Sequence, residues 1–366
     1  MNPKQTPNSE RRTPHSSGTP NSALRIPNSP DALLIVSFGG PEGMDDVLPF
    51  LENVLRGRNV PRERMLAVAK HYEMFGGVSP INEQNRKLIA ALAKELEEKG
   101  PKLSIYFGNR NWHPLLANTL AQMKADGIVR ALAFVTSAYS SYSSCRQYLE
   151  NIAEAQEVVG SGAPQIEKIR AFYNHPLFIE ANVANIRAAL DRIPEPGRKA
   201  TRLIFSAHSI PMTMAGNCDY HAQLEETANL IAERIYDSQP PVQFKLVYQS
   251  RSGPPTQPWL GPDVLDYLRE TKEAGASDVV IAPIGFISDH MEVIYDLDTE
   301  ARSLCESIGL NMVRASTVGT HPQFIQMIRE LILERLEPER ERRFVGTGRP
   351  RPDVCAPDCC SLNRQT

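Results

Sequence analysis

Short apolar runs that alternate with amphipathic stretches dominate the hydrophobic pattern of the chain. Residues 32–38 (ALLIVSF), 103–107 and 131–137 are largely apolar runs of the length that a buried strand takes. Between and after them, apolar positions recur at helical spacing over residues 44–55, 66–74, 83–99 and 115–126. Strands that alternate with helices predict a layered α/β domain with a parallel sheet.

The same alternation resumes after residue 163. The pattern predicts strands at 168–172, 202–206, 244–248 and 279–284, with helices at 176–191, 222–236 and 264–274. The predicted fold class is therefore α/β, with two similar Rossmann-like domains, a parallel four-stranded sheet in each and a cleft between them. We assign residues 31–163 to an N-terminal domain, 164–322 to a C-terminal domain and 323–340 to a closing helix.

The two ends of the chain differ from this body in composition. Residues 1–30 are rich in Pro, Ser, Asn and Thr, and such a segment has too few apolar side chains to form a core, which predicts a disordered tail. Residues 341–366 are first charged, then rich in Gly and Pro, and contain three cysteines. We treat this segment as a separate cysteine-containing tail.

Charge and motif content exclude several function classes. The 366 residues carry a net charge of -3 and the isoelectric point is near 6.3, which excludes the basic field that nucleic acids or an anionic membrane require. The chain has neither a membrane span nor a signal peptide in its pattern, so we expect a cytoplasmic protein. It contains no GxGxxG and no GxxxxGK[ST] motif, so we expect no nucleotide cofactor.

Polar side chains follow two strands of the predicted second sheet. His208 comes after the strand 202–206, and Asp289, His290 and Glu292 come after the strand 279–284. Because open α/β sheets bind ligands at the carboxyl ends of their strands, we expect these side chains to share one cleft. Imidazole and carboxylate groups there suit metal binding or proton transfer. The alternative is a structural histidine beside a solvated acidic helix face.

Three carboxylates are spaced four residues apart in the segment that follows. An α-helix would place Glu292, Asp296 and Glu300 on one face. Like charges at this spacing destabilise a helix unless a cation offsets them, and carboxylate oxygens are ligands for divalent cations. The spacing therefore suggests a path for a divalent cation.

Cysteines give a second candidate site. Cys355, Cys359 and Cys360 lie within six residues, and Cys145 is the other cysteine in an unusual local context, whereas Cys218 and Cys305 are interpreted as ordinary. Disulfides are not expected in a large chain without a secretion signal. Four thiolates fit zinc or an iron–sulfur cluster, and adjacent cysteines favour the cluster.

Five motifs, in this order, resemble the ferrochelatase family over residues 32–337. They are SFGGP (37–41), GGVSP (76–80), SAHSIP (206–211), PWLGP (258–262) and FISDHME (286–292). The resemblance implies two Rossmann-like domains without a nucleotide, the chelatase-like fold. It also implies a lyase that inserts Fe(II) into a free-base porphyrin in haem biosynthesis.

The resemblance also implies roles for individual residues. His208 and Glu292 would flank the porphyrin, with His208 accepting pyrrole protons or holding iron. Asp296 and Glu300 would pass iron or protons, and Asp289 and His290 would support Glu292. The positions that match porphyrin-lining residues of the family are Phe38, Tyr72, Ser79, Arg110, Tyr148, Trp259 and Phe286.

Cofactor and substrate expectations follow from the same resemblance. Several family members carry a 2Fe-2S cluster, and the set Cys145, Cys355, Cys359 and Cys360 resembles the bacterial arrangement. The opening motif and the tail resemble actinobacterial-type sequences, which implies coproporphyrin III as substrate, with protoporphyrin IX as the alternative. Two other classes stay open: a metal-dependent hydrolase with His208, His290 and Glu292 as permanent ligands, and a haem or iron chaperone that does not convert its ligand.

Overall fold

Two parallel four-stranded sheets form the framework of the chain in a computed structural model, which describes residues 29–57, 60–195, 197–236, 244–253 and 256–362. The predicted disordered tail lies outside the described residues except for its last two positions, and so do the last four residues of the cysteine-containing tail. Among the described residues, no helix is long and apolar enough to cross a membrane.

The first sheet is built around β1 (Ala32–Ser37), in the order β2-β1-β3-β4. Its other strands are β2 (Ser104–Asn109), β3 (Arg130–Val135) and β4 (Gln165–Lys168). All six residues of β1 are buried, because helices cover both faces of the sheet. This is why β1 is apolar without interruption.

The second sheet repeats this arrangement in the order β6-β5-β7-β8. Its strands are β5 (Arg202–His208), β6 (Phe244–Gln249), β7 (Asp278–Ala282) and β8 (Asn311–Arg314). In both sheets the first strand lies between the second and the third, and all pairings are parallel. The predicted fold class is confirmed.

Twelve α-helices in the described residues connect and cover the strands. They are α1 (Met44–Val54), α2 (Arg62–Glu73), α3 (Ile81–Lys99), α4 (Leu116–Ala125), α5 (Gln147–Val159), α6 (Pro176–Leu190), α7 (Met212–Ala215), α8 (Tyr220–Ile235), α9 (Val264–Glu273), α10 (Met291–Tyr295), α11 (Arg302–Ile308) and α12 (Pro322–Leu336).

One predicted strand was wrong and another strand was missed. The strand expected at 168–172 is β4 (Gln165–Lys168), which pairs with β3 and completes the first sheet beyond the domain boundary predicted at residue 163. Ile169 and Phe172 are buried because they enter the core between the two sheets. β8 was not predicted, since its four residues contain a single apolar pair.

A single large core connects both sheets through the closing helix α12. Phe172, Phe178 and Phe324 pack against one another, with ring centroids 5.6–6.2 Å apart. Around them the core includes side chains from β1 and β3 as well as from β5 and β7. Because α12 contacts both α3 and α6, it holds the two halves together.

The acidic segment after β7 departs from the predicted continuous α-helix. It consists of α10, a π-helical turn (Asp296–Ala301) and α11. A π-helical turn has i→i+5 hydrogen bonds, and such turns are frequent at functional sites. The prediction that Glu292, Asp296 and Glu300 lie on one face of a continuous α-helix was therefore wrong from Asp296 onward.

Candidate active site

His208 is the last residue of β5, whereas the sequence predicted that it follows the strand. The loop that follows β7 passes directly over this strand end. A Cβ added at Gly285 in that loop would lie 2.7 Å from the Cα of Ala207, so the close approach requires glycine. The Tyr220 hydroxyl donates a hydrogen bond to the His208 carbonyl oxygen at 3.1 Å. The strand end is thus held by α8, and the loop is held to the strand by the Gly285 N–H, which donates to the Ser206 carbonyl oxygen at 3.1 Å.

His208 and Glu292 form the centre of the site. The His208 Nε2 atom lies 3.5 Å from Glu292 Oε1, while Nδ1 is hydrogen-bonded to the Ser209 carbonyl oxygen. Burial opposes protonation, but the charge and hydrogen bond of Glu292 outweigh it and raise the pKa of His208 to about 9. Burial likewise opposes ionisation of Glu292, but the positive charge of His208 lowers its pKa to about 2. The side chains are 31% and 48% exposed, so water screens the pair.

His290 is the N-cap of α10 and lies on the other side of Glu292. Its Nδ1 atom accepts a hydrogen bond from the Glu292 backbone N–H at 3.2 Å, so this lone pair is already used. Burial and the nearby His208 lower the pKa of His290, and the ring is therefore neutral. No three His, Cys, Asp or Glu side chains in the described ranges are arranged to hold a metal ion.

The segment after β7 carries the carboxylates Glu292, Asp296 and Glu300, which we call the acidic ladder. Burial raises the pKa of Asp296 to about 7, together with the charges of Glu292 and Glu300 and against a hydrogen bond from Ser250. Burial and the charge of Asp263 raise the pKa of Glu300. Both neighbouring carboxylates, Glu292 and Glu300, therefore act on Asp296 despite the π-helical turn.

Gln249 and Ser250 hold this ladder and were not singled out in the sequence. The Gln249 Nε2 atom donates to the Glu292 carbonyl oxygen at 2.7 Å and to Asp296 Oδ2 at 3.4 Å. Gln249 pairs with His208 in the sheet, so one residue connects the strand end to the ladder. The signal that was available is its place at the end of the predicted strand 244–248.

Asp289 does not contact Glu292 but fixes the loop before it. Both of its carboxylate oxygens lie 3.1 Å from the Arg314 guanidinium, and Thr317 donates to it at 3.2 Å. Its backbone N–H donates to Gln84 Oε1 at 2.7 Å, which links the loop to helix α3 of the N-terminal half. Asp289 therefore ties the loop before Glu292 to β8 and α3, and its partner Arg314 was missed together with β8.

Aromatic side chains form a continuous wall on the N-terminal half. The Arg110 guanidinium lies 4.4 Å from the Tyr148 ring centroid and 5.7 Å from that of Phe38. Phe38 packs against Phe50, and Phe50 packs against Tyr72, at centroid distances of 6.2 and 5.8 Å. Burial raises the pKa of Tyr72, and the negative charge of Glu292 raises it further. The buried Phe50 and Tyr72 side chains share a core cluster with Met291, so the wall ends next to the residue that precedes Glu292.

The other three predicted lining residues lie next to these two groups. Ser79 is buried against the loop after β1, where a Cβ added at Gly40 would lie 2.7 Å from the Ser79 Cβ. Trp259 pairs through its backbone with Pro211, three residues after His208. The Phe286 ring contacts the His290 ring edge-on, with centroids 4.8 Å apart.

The cysteine-containing tail folds back onto both halves of the chain. The Arg146 guanidinium donates to the Pro357 carbonyl oxygen, and Asn217 Nδ2 donates to the Leu362 carbonyl oxygen at 3.3 Å. This brings Cys355 against Cys145, which lies in a π-helical turn (Tyr142–Arg146) before α5. The Cys359 and Cys360 sulfur atoms are 3.6 Å apart.

The four predicted thiol ligands are thus placed as two contacting pairs. Two cations accompany them: buried Lys168, which lines a small cavity with Cys145, and Arg351, whose Nη2 is 3.9 Å from Cys359 Sγ. The Cys355 hydrogen bond lowers the pKa of Cys145 against the effect of burial, and Lys168 and Arg351 act in the same direction. Cys218 lines the same pocket as Cys355, Cys359 and Cys360, which its interpretation as ordinary did not foresee.

The donor chemistry at this site fits a thiolate-bound group in part: Lys168 and Arg351 favour thiolates, but the hydrogen bond with Cys145 and burial raise the pKa of Cys355, and burial and Cys359 raise that of Cys360. The geometry fits only in part, since within the described part of the chain the two pairs do not form one metal-holding group.

Comparison with known proteins gives a consistent result. The model of the ferrochelatase family matches residues 30–336. A ferrochelatase of Rhodopirellula baltica is 58% identical over 332 residues, covering 90% of this chain and 93% of the relative. The coproporphyrin III ferrochelatases of Frankia alni and Nocardia farcinica are 50% and 46% identical, each over 92% of this chain and over 88% and 97% of their own lengths.

Among solved structures, the cobalt complex of the sirohydrochlorin chelatase SirB from Bacillus subtilis subspecies spizizenii aligns with a TM-score of 0.48 and 11% identity. The alignment covers 84% of this chain and 96% of that one. The sequence relationships extend over both sheets and include every residue of the His208–Glu292 site. This chain belongs to the ferrochelatase family, whose enzymes are lyases that insert iron into porphyrin.

Proposed function

We propose that the chain inserts Fe(II) into coproporphyrin III and that the His208–Glu292 pair is the site of metallation. The observation that carries the proposal is the position of this pair, 3.5 Å apart at a strand end, with the aromatic wall from the other half of the chain packed against Met291, the residue before Glu292. A planar macrocycle against that wall would present its pyrrole nitrogens to the pair. We expect the reaction to take place in the cytoplasm.

Metallation requires a base for the pyrrole protons and a ligand for the incoming cation. In the free site His208 already holds a proton, because the charge of Glu292 raises its pKa. Fe(II) close to Glu292 would offset that charge, lower the pKa of His208 and free the imidazole to accept a pyrrole proton. Iron arrival and proton removal would thereby be coupled through one carboxylate.

Asp296 is suited to exchange these protons with solvent. With a pKa of about 7 it is present in both protonation states near neutral pH, and it lies behind Glu292 on the same segment. A group whose pKa is close to the working pH is an efficient proton carrier. Glu300 would continue the route outward, while neutral His290 holds the start of α10.

The choice of coproporphyrin III is supported by relatives that carry this name at 46–50% identity. Coproporphyrin carries more propionates than protoporphyrin and therefore gains more from cations that bind carboxylates. Arg110 supplies a guanidinium at the far end of the aromatic wall, beside Tyr148 and Phe38. Arg110 is accordingly the residue that we propose for propionate recognition.

Competition between the two porphyrins tests this assignment. Purified protein is incubated anaerobically with Fe(II) and both free bases, and each metalloporphyrin is measured by its absorbance after separation. We expect kcat/KM to be about tenfold or more higher for coproporphyrin III, because one charge-assisted hydrogen bond contributes about 1.5–3 kcal/mol. Equal rates, or a preference for protoporphyrin IX, would contradict the substrate assignment. Binding without turnover would support the chaperone alternative.

We further propose that Cys145, Cys355, Cys359 and Cys360 hold a 2Fe-2S cluster. The support is the contact within each thiol pair and the placement of Lys168 and Arg351 beside them. Bound there, the cluster would supply one-electron redox chemistry and a covalent link between the tail and the N-terminal half. Lys168 and Arg351 would offset the charge of the thiolates.

Spectroscopy of anaerobically prepared protein tests the cluster. We expect visible absorbance with iron and acid-labile sulfide in the unchanged chain, and the loss of both in Cys359→Ser. Cys305→Ala is the matched control, because this buried thiol lies in α11 within a different core cluster. Colourless and iron-free protein after anaerobic reconstitution would refute the cluster.

A further inference from the structure

Arg314 connects the two ends of the segment that carries the acidic ladder. Its two Nη atoms lie 3.1 Å from the two carboxylate oxygens of Asp289, just before α10. Its Nε atom donates to Asp298 Oδ1 at 2.8 Å, within the π-helical turn that follows α10. One guanidinium thus spans the helix that bears Glu292.

The opposite side of the same segment is held by the other edge of the sheet. Arg314 is the last residue of edge strand β8, whereas Gln249 ends the other edge strand, β6. Gln249 and its neighbour Ser250 donate to Asp296, and Arg314 binds Asp298 two residues later. The π-helical turn is therefore held between the two sheet edges.

This arrangement bears on the reaction because a π-helical turn is an irregular feature that its surroundings must maintain. The Arg314, Asp289 and Asp298 side chains are only 15%, 19% and 29% exposed, so the ion pairs are shielded from water. Without the guanidinium, Asp289 loses its cation and the turn loses its anchor on β8. Both changes would shift Glu292 and Asp296 relative to His208.

We propose that Arg314 is a positioning residue for iron delivery, which keeps Glu292 and Asp296 in register with His208. The inference rests on the proposed metallation by this pair. Arg314 acts through Asp289 and Asp298, on the side of the site that carries the ladder. The predicted porphyrin-lining wall of Phe38, Tyr72 and Tyr148 belongs to the other half of the chain. Replacement of Arg314 should therefore affect the use of iron more than the binding of porphyrin.

Steady-state kinetics of Arg314→Met with each substrate varied separately test the proposal. We expect kcat/KM for Fe(II) to fall about tenfold or more, since a misplacement of about 1 Å can cost on the order of 10²-fold. The KM for porphyrin should stay within about threefold of that of the unchanged chain. Arg314→Lys should recover only part of the loss, because an ammonium lacks the planar fork that binds both carboxylates.

Arg302→Met is the matched control. Arg302 also approaches Asp298, with its Nη2 atom at 3.6 Å, but it is 41% exposed and has no contact with Asp289. This variant should keep both kinetic constants within about twofold. If Arg314→Met does not fold, Asp298→Ala removes the acceptor of Arg314 in the π-helical turn, leaves Asp289 in place and should give the same selective loss for Fe(II).

Two results would overturn the inference while leaving the proposed function intact. One is an active Arg314→Met enzyme with a lower melting temperature but unchanged kinetic constants at a temperature where it is folded. The other is an equal rise in KM for both substrates, which indicates general loosening. Absence of turnover in the unchanged chain would instead contradict the proposed metallation itself.

Discussion

Replacement of His208 by alanine is expected to lower kcat for iron insertion by about 10²–10⁴-fold, the usual contribution of a positioned general base. The imidazole Nε2 atom lies 3.5 Å from Glu292, and we propose that it accepts a pyrrole proton. The side chain is 31% exposed, so its removal leaves little buried cavity, and the fold should persist. Anaerobic metalloporphyrin formation, followed by absorbance, measures the effect.

His221→Ala is the control for this prediction. His221 lies on α8, where it contacts the Tyr248 hydroxyl at 2.6 Å and Glu225 at 3.3 Å, and it has no contact with Glu292. Its activity should remain close to that of the unchanged chain, and circular dichroism should show that both variants are folded. A folded His208→Ala variant that metallates porphyrin at the original rate would exclude His208 as the base.

Removal of the Glu334 carboxylate is expected to cause a large loss of stability. Arg170 and Glu334 form a bidentate ion pair with N–O distances of 2.7 and 2.9 Å, and their side chains are 1% and 3% exposed. Glu334→Ala would leave the guanidinium buried without its counter-ion, which costs about 3–5 kcal/mol of unfolding free energy. Because the pair joins α12 to the segment after β4, the loss should loosen the connection between the two halves.

Urea denaturation measures this change. Glu83→Ala is the comparison, since Glu83 forms an exposed pair with Lys87 and should contribute less than about 1 kcal/mol. A Glu334→Ala variant whose unfolding free energy changes no more than that of Glu83→Ala would show that the buried pair is compensated by its neighbours. One such neighbour is the Arg343 carbonyl oxygen, which accepts a hydrogen bond from Arg170 Nη2 at 3.0 Å.

Substitution of His208 is expected to affect reactivity, whereas substitution of Glu334 is expected to affect stability. The His208–Glu292 pair, which we propose for proton and metal binding, is partly open to water, whereas Arg170–Glu334 is enclosed by the core that α12 completes. Charges in open sites are screened, so their substitution affects reactivity more than folding. Enclosed charges cannot be hydrated, so their substitution affects folding first.

Local sequence was sufficient to predict the fold class and the proximity of His208 to Glu292. Strands such as β1 and β5 are buried on both faces, and this burial appears directly as a continuous apolar run. The strand ends then follow from the ends of these runs, which places His208 and the segment that leads to Glu292 at the carboxyl ends of neighbouring strands. Both inferences require only residues that are close together in the chain.

The features that were missed depend on contacts between distant segments. β4 belongs to the first sheet because it pairs with β3, and the apolar residues after it serve the core between the halves. The π-helical turn exists between anchors from β6 and β8, and Arg314 reaches Asp289 across 25 residues of sequence. The cysteines are arranged as two pairs because the tail returns to Arg146 and Asn217. A periodic pattern indicates burial and local spacing. It does not indicate which distant residue pairs with a charged side chain or which strand pairs with the edge of a sheet. Those contacts exist only in the folded chain.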